Sequence, residues 1–166
     1  MKKVIIVVTG ILCLLPLKST GQKTKKEVIN QLDSQYETYK DVAKQLWENP
    51  ELGYLEENSS TLLQEKLNAA GFKIEKGVAG IPTAFTATYG SGLPVIGILG
   101  EFDALPGMSQ SAEPFKKSRI IDAPGQACGH HLFGTGSMAA AIAAKNWLAA
   151  SRKSGTIRFY GTPAEE

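Results

Sequence analysis

The sequence predicts an α/β domain in which helices flank a mostly parallel sheet. Three observations lead there. Two stretches carry apolar residues at helical spacing, and a third is a run of small apolar residues long enough to be a buried helix. Short β-prone runs lie between them, bounded by Gly and Pro. Strands alternating with helices in this way suggest one sheet with helices on its faces. The chain has 166 residues, enough for one modest domain, and its apolar fraction is ordinary for a globular protein.

The start is of a different kind. Lys2 and Lys3 precede an apolar run from Val4 to Leu17, and Ser19, Thr20 and Gly21 follow. A basic start, a short apolar core and small residues make a secretory signal peptide over residues 1–21, with cleavage before Gln22. The run is too short to span a bilayer, which needs about 20 residues. Leu12 before Cys13 is too large for a lipoprotein site. The mature chain is therefore expected to be exported, to the periplasm or the medium, with no membrane attachment. The leader carries three lysines and no acid, so its loss lowers the formal charge by three, from +2 to −1. That leaves no basic footprint for nucleic acid. It also leaves Cys128 without an intrachain disulfide partner in an oxidising compartment.

Residues 22–26 read as a polar linker. From Glu27 to Trp47, Val28, Leu32, Tyr36, Tyr39, Ala43 and Leu46 recur at steps of three and four, predicting one helix that ends at Asn49-Pro50. Ser59-Ser60 opens a second amphipathic helix, closed by Gly71. Phe72 to Val78 and Thr83 to Tyr89 are strand candidates. Leu93 to Leu99 is the strongest, because Val95, Ile96, Ile98 and Leu99 read as a strand buried on both faces. Residues 107–127 are polar with Pro and Gly, predicting a long surface loop, a feature usually functional or disordered. Leu132 to Ala150 predicts a buried helix, and Thr156 to Tyr160 a last strand. No internal repeat is present.

Ligands of such sheets bind at the carboxyl ends of the strands. Three polar clusters fall there. Glu101 and Asp103 follow the strongest strand, two apart and so on one side of an extended backbone. Cys128, His130 and His131 precede the alanine-rich helix, and Glu165 and Glu166 follow the last strand. Thiolate, imidazole and carboxylate are the ligands of zinc and related metals. Taken singly, each cluster has a plainer reading. The acids fit a cap or a solvated turn, the histidines an ordinary loop, and Cys128 a small packed side chain. Taken together, they converge on the edge where α/β sites form. Gly134-Thr135-Gly136 lacks the spacing of a phosphate loop, and no Gly-x-Ser-x-Gly elbow occurs. A Cys128–His130 nucleophile pair is a further reading.

Four motifs, in this order, resemble the aminoacylase and carboxypeptidase amidohydrolases of metallopeptidase clan MH. They are Asn49-Pro50-Glu51-Leu52-Gly53-Tyr54, Gly100-Glu101-Phe102-Asp103-Ala104-Leu105-Pro106-Gly107, Ala127-Cys128-Gly129-His130 and Pro163-Ala164-Glu165-Glu166. The similarity is strongest to the branch containing p-aminobenzoyl-glutamate hydrolase and related N-acyl-amino-acid hydrolases. The resemblance implies an α/β catalytic domain interrupted by a dimerisation domain, with residues 22–166 forming only the first part of the former. It implies two divalent metal ions, zinc or manganese, sharing a water, and a homodimer in the full-length protein. By position, Cys128, His130 and Glu166 match metal ligands, Glu165 the general base and Asp103 an acid that orients the site. Glu101 stands where some relatives place a metal-binding His, and His131 where they often have Asn or Asp, so neither role carries over. The expected reaction is hydrolysis of an amide bond in an N-acyl amino acid or small peptide. The expected continuation beyond Glu166 holds further ligands, so these residues alone are expected to bind metal poorly and hydrolyse nothing. A secreted binding protein for acyl-amino acids or peptides is the competing class.

Overall fold

The structure is a computed structural model that describes residues 25–166; the expected leader over residues 1–21 lies outside the described residues. Nine elements follow in order: helices α1 (Lys25–Ser34), α2 (Tyr36–Glu48) and α3 (Glu57–Ala69), strand β1 (Lys73–Lys76), a 3-10 turn (Val78–Gly80), strands β2 (Phe85–Ser91) and β3 (Val95–Glu101), helix α4 (His130–Ser151) and strand β4 (Gly155–Thr162). The single helix expected over residues 27–47 is two, interrupted at Gln35. No helix among the described residues is long and apolar enough to cross a membrane.

The sheet order is β1-β2-β4-β3. The α/β class stands, but the sheet is mixed rather than mostly parallel. Only β3 and β4 run parallel, with Val95 opposite Thr156 and Glu101 opposite Thr162. The β1–β2 and β2–β4 pairings are antiparallel. A second expectation fails with it. β3 forms an edge of the sheet, and Val95, Ile96 and Leu99 are exposed rather than covered on both faces.

One sheet face carries Ala87, Ile157 and Phe159, which alternation places together, and this face meets the helices. Val42 and Leu46 of α2, Leu63 and Leu67 of α3, and Met138, Ala141 and Leu148 of α4 complete a single core. Phe85 stacks on Phe159 at 5.7 Å and lies 6.3 Å from Phe102. Burying each such ring contributes about 1.5–3 kcal/mol. The alanine run lets α4 lie close on β3 and β4. At its start, a Cβ on Gly134 would fall 2.5 Å from the Glu101 carbonyl oxygen. A glycine there lets the first turn of α4 rest on the carboxyl end of β3, which sets His130 beside Glu101.

Candidate metal centre

The parallel pair β3–β4 brings two of the three polar clusters to one sheet edge, and the first turn of α4 brings the third. His130, at 4% exposure, is the centre of the group. Its Nδ1 lies 2.8 Å from Asp103 Oδ1. Asp103 is itself buried, and its other oxygen accepts the Glu166 backbone N–H at 3.0 Å. An acceptor on Nδ1 fixes the imidazole with its proton there and leaves a lone pair on Nε2.

That lone pair faces other acceptors. Nε2 lies 3.2 Å from Glu101 Oε2, 3.6 Å from Glu165 Oε2 and 3.8 Å from Glu166 Oε1. Ligand atoms of Cys128, His130 and Glu166 lie within 4.8 Å of one another, as do those of Glu101, His130 and Glu165. Among the described residues His130 is the one basic group in ion-pair contact with these acids. Acceptors crowded around a lone pair repel unless a cation or a proton stands between them. Sulfur, nitrogen and oxygen donors suit a divalent transition metal, so the residues fit such an ion. Because Asp103 occupies Nδ1, His130 offers one ligand atom, and the two groups are halves of one cluster that share it.

The surroundings point the same way. Burial raises the Glu101 carboxyl above its ordinary range; Glu165, Asp103 and Glu166 push in the same direction and His130 opposes them. A hydrogen bond to Glu166 holds the Cys128 thiol above its usual value, with desolvation and the charges of Glu166, Glu165 and Glu101 adding to it. Reactive thiols sit in electropositive surroundings, so this environment disfavours a cysteine nucleophile. Burial lowers the His131 pKa, as does His130. The His131 Nδ1 is buried without a hydrogen-bond partner while its backbone N–H donates to Gln126 Oε1 at 3.0 Å.

Sequence reasoning missed the residues that hold these segments in place. Gln126 Nε2 also reaches the Phe102 carbonyl at 3.4 Å, tying the 107–127 loop to the strand end. Glu51 caps α3, accepting the backbone N–H of Asn58 at 3.1 Å and of Ser59 at 2.7 Å. Its own carbonyl takes the Ala104 N–H at 2.8 Å, which joins the Asn49–Tyr54 motif to the Gly100–Gly107 motif. Glu56, fully buried, accepts the Ala164 N–H at 2.9 Å. Nothing in the sequence separates Glu56 from the exposed acids beside it. A cavity of about 590 Å³ lies between Trp47 and the 107–127 loop; Gln126 and Ala127 line it, and none of the residues of the cluster does.

No protein-family model matches the chain. Over 146 residues it is 41% identical to a subunit of the p-aminobenzoyl-glutamate hydrolase of Escherichia coli, an alignment covering 87% of this chain and 30% of that protein. It is 29% identical over 137 residues to hippurate hydrolase of Campylobacter jejuni, covering 81% and 33%. A solved dinuclear metal-binding peptidase of family M20 from Bacillus subtilis superposes with a TM-score of 0.57 at 26% identity, covering 86% of this chain and 37% of that one. The chain is a homologue of these hydrolases and a structural neighbour of a family M20 peptidase. It spans about a third of the length of the curated relatives it matches. The M20 peptidase shares the helix–sheet arrangement over these residues, and it is that protein that binds two metals.

Proposed function

We propose that this chain is the first part of the catalytic domain of an exported amidohydrolase. It cleaves the amide bond of an N-acyl amino acid or small peptide, of the p-aminobenzoyl-glutamate kind. One observation carries the reading: the His130 Nε2 lone pair faces Glu101, Glu165 and Glu166, an arrangement that a divalent cation relieves. Cys128, His130 and Glu166 would hold one cation, and a second would draw on Glu101 and on residues outside this chain. When bound, such ions supply Lewis acidity and make water acidic enough to attack a carbonyl. The Cys128 thiolate favours zinc, and manganese is the alternative.

The chain's own residues do the rest. Asp103 keeps the His130 ring in the tautomer that presents Nε2. Glu165 takes a proton from the attacking water at its carboxylate and delivers it to the departing nitrogen, yielding a carboxylate and an amine. Its side chain is 54% exposed against 20% for Glu166, which supports the base role for the first and the ligand role for the second. Export by the leader over residues 1–21 and homodimerisation of the full-length protein belong to the same proposal.

The test is to express the complete reading frame that contains this chain, strip metal with chelator, and restore zinc or manganese. Release of free amino acid from a panel of N-acyl-glutamates, other acyl-amino acids and dipeptides is then measured. Metal-dependent release supports the reading. Substrate binding that ignores chelator, without turnover, would establish the binding-protein class instead. Residues 22–166 assayed alone should hydrolyse nothing.

A further inference from the structure

The turn that carries Glu165 and Glu166 is held from beneath by a residue far away in sequence. Glu56 stands just before α3 and is fully buried. One carboxyl oxygen accepts the Ala164 backbone N–H at 2.9 Å, and the other accepts the Thr83 hydroxyl at 3.0 Å. The Thr83 carbonyl accepts the Ser60 hydroxyl at 2.7 Å, so Glu56 is anchored through Thr83 to α3. Ala164 has φ of +56°, a left-handed conformation unfavourable for a residue with a side chain. A Cβ on Gly53 would fall 2.9 Å from the Ala164 Cβ, so the Asn49–Tyr54 motif presses on the same residue. A buried acceptor aimed at one amide, next to two acids of the metal cluster, is a positioning device.

We infer that Glu56 is a positioning residue for the metal centre: by holding the Ala164 amide it fixes the direction in which Glu165 and Glu166 leave the sheet. This rests on the amidohydrolase reading. The hydrogen bond, not the charge, does the positioning, and the two are separable by substitution. In Glu56→Gln the amide oxygen accepts from Ala164 and the amide NH2 donates to the Thr83 oxygen, since a hydroxyl serves as donor or acceptor. In Glu56→Asp the charge remains, but a shorter side chain cannot reach both partners.

The experiment uses the product of the complete reading frame and measures cobalt(II) affinity by competition with a chromophoric chelator, alongside thermal melting. Glu56→Gln should keep affinity within about threefold of the parent. Glu56→Asp should weaken it by about ten- to a hundredfold, the range seen when outer-sphere support of a metal site is lost. The cobalt absorption band should shift in the Asp variant and not in the Gln variant. Retained affinity in Asp with loss in Gln would show that charge matters and would overturn the inference. Equal affinity in all three proteins would overturn it as well. Affinities that fall only in step with melting temperature would reduce Glu56 to a stability role, again against the inference. Failure of the parent protein to bind cobalt would instead remove the metal reading itself, a result distinct from the other three.

Discussion

Replacing Asp103 with Asn exchanges one acceptor oxygen for two donor hydrogens without changing shape. The buried carboxyl faces two donors, the ring Nδ1–H of His130 at 2.8 Å and the Glu166 backbone N–H at 3.0 Å. An amide can accept from only one of them. If its oxygen stays on Glu166, its NH2 meets Nδ1 and drives the proton to Nε2, where it blocks the ligand position. If its oxygen stays on His130, its NH2 meets the Glu166 N–H and the turn is pushed away. Either orientation removes one hydrogen bond of a charged group, a loss of about 1.5–3 kcal/mol. That converts to roughly a ten- to hundredfold fall in metal affinity. Zinc affinity is read by chelator competition, and the His130 tautomer by nitrogen NMR of the metal-free protein. Affinity within about threefold of the parent, with the proton still on Nδ1, would refute the argument that Asp103 sets the ring.

Four further outcomes follow, two at the candidate metal centre and two away from it. Glu165→Gln should keep its metal and lose at least about a hundredfold in turnover, the usual contribution of a general base. Cys128→Ala should lose metal; equal metal loss in the two would end the base assignment for Glu165. Glu51→Ala removes the acceptor for the Asn58 and Ser59 amides at the start of α3 and should cost about 1–2 kcal/mol in a denaturant titration. An unchanged midpoint would show that solvent replaces the cap. Burial raises the Tyr39 phenol above its ordinary 10.0, so its folded value exceeds its unfolded one. The associated stability is present below pH 10 and is lost as pH rises through the folded value. Tyr39→Phe should flatten that alkaline decline, and a slope identical to the parent would exclude Tyr39 as its source.

Local signals in the sequence were strong where the structure depends on local chemistry. The alanine-rich run from Leu132 gives α4, although the helix starts two residues earlier, which puts His130 inside its first turn. Asn49-Pro50 marks the end of α2 within two residues. Nonlocal features were hidden. Strand direction is not encoded in a strand's own residues, and the antiparallel β2 pairs with β4 across more than sixty positions. The apolar run of β3 reads as covered on both faces, yet Val95, Ile96 and Leu99 are about half exposed, at 47%, 49% and 54%. The polar clusters were legible as residue types at element ends. Their convergence on one nitrogen of His130 required the parallel β3–β4 pairing, which is a property of the fold.

The turn from Pro163 to Glu166 shows why an acid cluster needs this much scaffolding. Four carboxylates in one place repel one another, and the repulsion is strongest where they are desolvated. Left alone, the turn would swing its acids into water. Two acceptors prevent this from opposite ends: Glu56 holds the amide of Ala164, and Asp103 holds the amide of Glu166. Ordering backbone costs about 1–2 kcal/mol per residue. Because both clamps form with the core, that cost falls on folding and not on metal capture. Between two fixed amides, the side chain of Glu165 remains 54% exposed. A ligand must be held still, whereas a proton carrier must move between the water it deprotonates and the nitrogen it protonates. If Glu166 is the ligand and Glu165 the base, as proposed, the clamps at 164 and 166 suit both roles within three consecutive residues.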